Sequence, residues 1–387
     1  MAYKKSLTYS STGVNYSLMD PLKKLAQKKA KETSINLKRA GFMEVSESRG
    51  ESAYVWEEKD SYKAFVIEGL GTKNLVADAM GEITGKSYYK QIAQDSVAAI
   101  VNDLIVVGAK PLVVNAYFGA GHPSWFKNIK RQKDLIEGFA KACNLAGATW
   151  GGGETPTLKG IINPYTLDLG GSGIGIIQPK KRLTLGDKLK GGDLILLIES
   201  SGIHANGITL TRTLAKKLPQ GYKTKLSSGQ MFGEAILIPS FIYANLVQDL
   251  FAANIDIHYM VNITGHGWRK LMRATQKFSY IIENVPPYHS LFDFIHKHSA
   301  NSNEEMYGNF NMGAGFAIFL PKKDLEKAQK VCKKNKFKSY LSGYLEKGQK
   351  KVLIKPKNIE FKENALGVSA ILNISSKPAR ISLCPLL

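Results

Sequence analysis

The chain has 387 residues, 44% hydrophobic and 22% charged, the composition of a globular protein long enough for two domains with a core each. No run of about 18 apolar residues occurs, so no membrane-spanning helix is expected, and the start, MAYKKSLTYSSTG, lacks the apolar stretch of a secretory signal. The formal charge of +21 comes mostly from lysine in amphipathic stretches such as LKKLAQKKAKE; without a recognition motif or a stripe of basic and aromatic residues it reads as a solvated surface able to steer phosphorylated substrates, with nucleic-acid binding unlikely.

Strand-like and helix-like segments alternate along the chain, which predicts an α/β (α+β) architecture. KAFVIEGLGTK reads as a strand running into a glycine turn. DSVAAIVNDLIVV (95–107) has helical spacing and stops at Gly108 and Pro111. KPLVVNAY (110–117) is a strand, DLIEGFAKACNLA (134–146) an amphipathic helix closed by Gly147, and ATW a short strand leading into GGGET. DLGGSGIGII (168–177) is a strand whose glycines imply that something approaches its backbone closely. The polar, basic stretch QPKKRLTLGDKL (178–189) marks a domain boundary.

Beyond it, DLILLI (193–198) is a strand feeding SSGIHANG, and 208–218 a helix. Further helices are expected at 242–253, 268–275 and 325–333, with strands at 280–282 and FAIFL (316–320). The expected units are an N-terminal domain over 1–177, a C-terminal domain over 178–347 and an appendage of unassigned role over 348–387. Cys143, Cys332 and Cys384 lie far apart with no CxxC spacing. Neither a zinc site nor a disulfide framework is expected, and a reducing cytoplasm is the simplest compartment.

Five glycine-bearing turns sit at strand or helix ends: EGLGTK (68–73), GGGET (151–155), SSGIHANG (200–207), ITGHG (263–267) and FNMGAG (310–315). Glycine permits positive φ and lets backbone amides converge on an anion. None of the turns is a Walker A loop or a dinucleotide fingerprint in its required setting. Glu68, Asp95, Asp103, Glu154 and Asp168 lie near these turns or on the small-residue helix, and carboxylates beside glycine loops are how proteins hold Mg²⁺ with nucleotide phosphates. Lys73 is a candidate phosphate ligand. His204, in a polar turn with Ser200, Ser201 and Asn206, is a candidate acid, base or phosphate donor.

Taken together, SSTGVNYS (10–17), EGLGTK, AQDSVAAIVNDLIVVGAKP, GGGET, LGGSGIGI, SSGIHANG, ITGHG and EEMYGNFNMGAGF resemble the aminoimidazole ribonucleotide synthetase (phosphoribosylformylglycinamidine cyclo-ligase) family over roughly 10–347. The resemblance implies an N-terminal four-stranded sheet domain that pairs with a second subunit in a homodimer, and a C-terminal α/β domain beside it. It implies ATP and Mg²⁺ as cofactors, with Glu68, Asp95 and Glu154 at the metal. Gly69, Gly71, Thr72, Lys73, Asn102, Asp103, Gly152, Gly153 and Thr155 fall at the nucleotide. His204 and Asn206 fall near the transferred phosphate, with Ser201, Gly207, Thr264, Gly265, Asn311 and Gly313 around formylglycinamidine ribonucleotide.

The implied reaction phosphorylates the formyl amide oxygen, after which the amidine nitrogen closes the imidazole ring and releases ADP and phosphate. The chain departs from the family pattern at Glu68, where aspartate is usual, at Leu70, at Ile203 and Ala205, and at His266 within the fourth turn. The connection around Gly81–Lys90 is longer than usual, and the phosphate lysine of the N-terminal segment could be Lys23, Lys24 or Lys28. A small-molecule kinase or amidine synthetase of the same fold, or a non-catalytic basic binding protein, are the alternative readings.

Overall fold

The computed structural model describes residues 16–366; Cys384 and the first six residues of SSTGVNYS lie outside them. The chain opens with helices α1 (Tyr16–Glu32) and α2 (Ser34–Arg39) and then builds strands β1 (Met43–Glu44), β2 (Tyr54–Glu57), β3 (Tyr62–Gly69), β4 (Lys110–Ala120), β5 (Thr149–Glu154) and β6 (Leu167–Ile177). They form one sheet in the order β1-β2-β3-β6-β4-β5. All its pairings are antiparallel except β4 with β5. Six strands stand where the resemblance implied four, because the short β1 and β2 extend the sheet beyond β3.

Helices α3 (Lys73–Thr84), α4 (Tyr89–Val106) and α5 (Ile129–Ala146) fill the connections. The glycines of β6 explain themselves here. A Cβ on Gly171 would stand 2.8 Å from Ile100 Cδ1, and one on Gly173 would stand 2.6 Å from Ile100 Cγ2. The body that approaches this strand is therefore α4, whose buried Val97, Ile100, Val101 and Leu104 form the centre of the first core.

The second sheet comprises β7 (Leu194–Glu199), β8 (Tyr259–Asn262), β9 (Phe278–Ile282), β10 (Ala314–Leu320), β11 (Ser339–Lys347), β12 (Lys351–Ile354) and β13 (Ile359–Lys362). Its order is β13-β12-β9-β11-β7-β10-β8. DLILLI and FAIFL become neighbours, β7 and β10, with every residue of β10 buried. Helices α6 (Ile208–Lys217), α7 (Phe232–Ile236), α8 (Ala244–Ala252), α9 (Ser290–Ser299), α10 (Asn303–Asn309) and α11 (Leu325–Lys334) complete this half.

Two expectations change. The helix expected at 268–275 is a 3₁₀ turn over Gly267–Met272, entered through His266 and Gly267 at φ 70° and 51°. The stretch after Lys347 does not begin as an appendage, because β12 pairs in parallel with β9 and β13 closes the edge. Val352, Ile354, Ile359 and Phe361 bury their side chains in the core, which requires that the sheet continue past Lys347.

Candidate active-site cleft

The end of β3, the second half of α4 and the turns after β7 and β8 face one another across a cleft of about 550 Å³. Glu68, Gly69 and Gly71 come from the first turn and Asp103 from α4. Asn206, Thr264 and Gly265 come from the second domain. Gly71 has φ 76°, the left-handed conformation that glycine adopts without strain.

Glu68 and Asp103 form the acidic wall. Burial and the neighbouring Asp103 carboxyl raise Glu68 from 4.5 to about 7. Asn262 Nδ2 donates to Asp103 Oδ1 at 2.6 Å. Lys270 lies near this pair, its Nζ donating to Thr264 Oγ1 and to Asn262 O; burial holds this ammonium below its usual value although Asp103 pulls the other way. Arg273 donates to Gly50 O at 2.9 Å and to Ser52 Oγ at 2.9 Å. Tyr259 donates to both oxygens of Glu51, at 2.8 and 3.0 Å. The cleft thus mixes carboxylates with cations, Lys270 and Arg273 held by backbone and hydroxyl partners and Asp103 by the Asn262 amide.

Lys73 and Asp95 are not in it. Both are wholly buried, with Lys73 Nζ 2.7 Å from Asp95 Oδ2, and Lys73 also donates to Ile238 O at 2.9 Å. Asp95 Oδ1 accepts from Ser240 N at 2.8 Å and from Ser240 Oγ at 2.5 Å. Gln94 donates to Ser240 O at 2.8 Å. Asn102 donates to Phe241 O at 2.8 Å and accepts from Tyr243 N at 3.0 Å. Residues expected at nucleotide and metal are instead a clasp by which α3 and α4 hold the strap 238–243 of the second domain. They point there because the residues of α4 facing α3 and the second domain are enclosed, and a polar group enclosed in protein needs protein partners.

His204 is likewise turned away from the cleft. It is buried at φ 59°, its Nε2 accepts from Ser201 N at 3.3 Å, and its ring lies against Phe241 and Tyr243. Burial and then the Lys73 charge push the imidazole down to about 3. That direction favours the neutral ring, which braces the turn; its loop neighbour Asn206 lines the cleft instead. Ser201 donates to Pro239 O at 2.7 Å. Gly207 starts α6, where a Cβ would stand 2.1 Å from the Phe310 ring.

Asn311 and Gly313 also fall behind the cleft wall. Asn311 accepts from Ser200 Oγ at 2.9 Å and donates to Gly202 O at 2.8 Å, while Gly313 N donates to Asn311 Oδ1 at 3.1 Å. The segment NEEMYGNFNMGAGF is therefore a short helix and a buried turn that prop up the SSGIHANG loop. Thr72 precedes α3 with its Oγ1 buried and makes no side-chain cap bond. Gly152, Gly153, Glu154 and Thr155 are exposed, on or just after β5 at the free edge of the first sheet, and do not reach the cleft of this chain. Among the described residues, then, Glu68, Gly69, Gly71, Asp103, Asn206, Thr264 and Gly265 are brought together. Glu51, Lys270 and Arg273 join them without a signal in the sequence. Of the three candidate lysines, Lys23 is the one that lines the cleft.

Such an architecture, two helix-backed sheets with an acidic and basic cleft between them, defines a two-domain α/β protein with a polar cleft where the domains meet. Residues 50–177 match the family model described as AIR synthase related protein, N-terminal domain, and residues 190–355 match the corresponding C-terminal domain. The chain belongs to this family. A relative from Thermococcus kodakarensis named phosphoribosylformylglycinamidine cyclo-ligase is 33% identical, over 87% of this chain and 95% of its own length. One of the same name from Pyrococcus furiosus is 35% identical, over 70% of this chain and 75% of its own. Among solved structures, hydrogenase maturation protein HypE in complex with ATP shares the fold at a TM-score of 0.57 and 17% identity, covering 77% of this chain and 83% of that one.

Proposed function

We propose that the protein is an ATP-dependent cyclo-ligase that converts formylglycinamidine ribonucleotide to aminoimidazole ribonucleotide, with release of ADP and phosphate, in purine biosynthesis. The observation that carries this is the Glu68–Asp103 pair sharing one cleft with Asn206, Thr264 and Lys270. Family membership and the cyclo-ligase relatives support the choice of reaction. The absence of a membrane-crossing helix among the described residues accords with a cytoplasmic enzyme.

Mg²⁺ fits the donor set. Glu68 and Asp103 offer only oxygen ligands, and burial first and then the neighbouring Asp103 carboxyl raise Glu68 to about 7. When bound, Mg²⁺ would neutralise phosphate charge as the phosphoryl group moves. The chain's own residues then position the reactants. Asn262 fixes Asp103, the bare backbone of Gly69 and Gly71 leaves room for phosphate oxygens, and Lys270 offers a cation near the carboxylates. Asn206 and Thr264 present an amide and a hydroxyl to the formyl amide. Ring closure is intramolecular, so holding the substrate folded against this wall supplies much of what remains.

The reading extends to a homodimer. Phe65, Ile67 and Ile174 are exposed on the first sheet, with Phe65 and Ile174 paired across β3 and β6, and a second copy covering that face would give Gly152–Thr155 a partner. The deciding experiment is ADP release on addition of formylglycinamidine ribonucleotide. Release with a different acceptor alone would favour a kinase or amidine synthetase of the same fold. Salt-sensitive RNA binding without turnover would favour a non-catalytic binding protein.

A further inference from the structure

The basic stretch 178–189 joins the two domains, and it also walls a pocket of about 440 Å³ against the turn from α8 into β8. This pocket shares no lining residue with the cleft. Strand β8 runs between them: Ile257, just before the strand, lines the pocket, and Asn262, at its far end, lines the cleft.

The basic wall is fixed in place. Thr184 Oγ1 donates to Val106 O at 2.8 Å, and Arg182 O packs so closely on Gly108 that a Cβ there would stand 1.9 Å from it. Lys188 Nζ donates to Lys181 O at 3.0 Å, which draws basic residues from both ends of the stretch to one pocket.

These cations lack counter-ions. Lys181, Arg182 and Lys188 line the pocket, and none of the three pairs with a carboxylate among the described residues, whereas the adjacent Lys180 lies 2.6 Å from Glu57. The one acid of the lining, Asp256, stands 3.3 Å from His258 Nε2. A guanidinium has five N–H donors. That of Arg182 gives Nη1 to Gln248 Oε1 at 3.4 Å, and no other donor of the group meets a protein acceptor among the described residues. The same group lies over the Phe251 ring, 5.2 Å from its centre. An open guanidinium fork beside two ammonium groups matches a phosphate monoester that brings no metal of its own. Pockets that enclose a whole small molecule run from about 300 to 1,000 Å³, so there is room for more than the phosphate, and Pro179, Phe251 and Ile255 offer apolar surface to the rest.

We propose that this pocket is a second ligand site, separate from the cleft, that takes a nucleoside monophosphate, with the phosphate held by Lys181, Lys188 and the open fork of Arg182 and the flat base laid against the Arg182–Phe251 pair. A ligand held there bridges the interdomain stretch and the turn that leads into β8. The assignment does not depend on which reaction the cleft performs.

Calorimetric titration of the full chain with AMP tests it, with one equivalent of a non-hydrolysable ATP analogue and Mg²⁺ already bound. One AMP per chain should still bind, and inorganic phosphate, which lacks the base, should bind the same site at least about tenfold more weakly. Lys181 is exposed and Lys188 partly so, so Lys188→Met should fold; Arg182→Lys keeps the charge and loses the fork. Each should weaken AMP about tenfold and leave the affinity for the analogue within about twofold. The proposal is overturned if the analogue-bound protein takes up no AMP, if neither variant weakens it, or if the analogue loses affinity in parallel. Phosphate that binds as tightly as AMP would overturn the nucleoside and leave a bare anion hole.

Discussion

Glu68, at the end of β3, holds its carboxyl against that of Asp103 in a buried place. The group has an ordinary value of 4.5 and sits at about 7 in the fold, so the folded state holds the proton more tightly than the unfolded chain. Its contribution to stability is therefore fully present below 4.5 and lost as pH rises through 7. Without metal, the melting temperature should fall between pH 5 and 8, Glu68→Gln should flatten that slope, and Mg²⁺ with nucleotide should restore stability at pH 8. A slope untouched by Glu68→Gln would show that another group titrates. The same substitution should lower turnover at least about tenfold, because an amide cannot neutralise the cation. This carboxylate and Asp103 were legible because acids beside a bare glycine turn are unusual. Lys270 and Arg273 were not, since nothing in spacing separates them from the rest of 53 basic residues.

Elements decide which polar residues serve chemistry and which serve assembly. The α4 segment QDSVAAIVND puts Asp95 and Asn102 about two turns apart, which makes them neighbours on the surface that meets the strap 238–243. Sequence shows the helix and its carboxylates but not which face the second domain covers. Asp95 and Lys73 were for that reason read as ligands. Long strands with continuous apolar runs, such as β7 and β10, were equally plain. Helix α3 was missed, because Gly81, in its last turn, falls in the stretch around 81–90 read as a connection. The clasp predicts a particular pattern of stability. Asp95→Asn or Lys73→Met alone leaves one buried polar partner stranded and should cost roughly 3–5 kcal/mol, whereas Lys73→Met with Asp95→Asn, which keeps an oxygen for Ser240, should lose less than the sum of the two. Urea unfolding of the three variants measures it, and additive losses in the double variant would mean that the two side chains act independently. The strap also bears on the SSGIHANG loop, through Ser201 to Pro239 and Tyr243 to Glu199 O, so Asn206 keeps its place in the cleft only while the clasp holds.

At the scale of the whole molecule, two surfaces decide whether the protein is complete. The second sheet needs β12 and β13, whose Val352, Ile354 and Phe361 are buried. A chain ending at Lys347 should be insoluble or unfolded, and one ending at Leu366 should give a cooperative melt. The first sheet, by contrast, leaves Ile67 74% exposed and Phe65 38% exposed on a strand in its interior. These apolar side chains, exposed together on one sheet face, are the footprint that the proposed homodimer would cover. Ile67→Asp places a charge in the middle of that footprint while touching nothing in the core. It should convert a dimer to a monomer in sedimentation equilibrium, with an unchanged circular dichroism spectrum, and it should abolish turnover if Gly152–Thr155 completes the nucleotide site across the interface. A variant that stays dimeric would move the interface elsewhere; a monomer with full activity would leave the cleft of a single chain sufficient for the reaction.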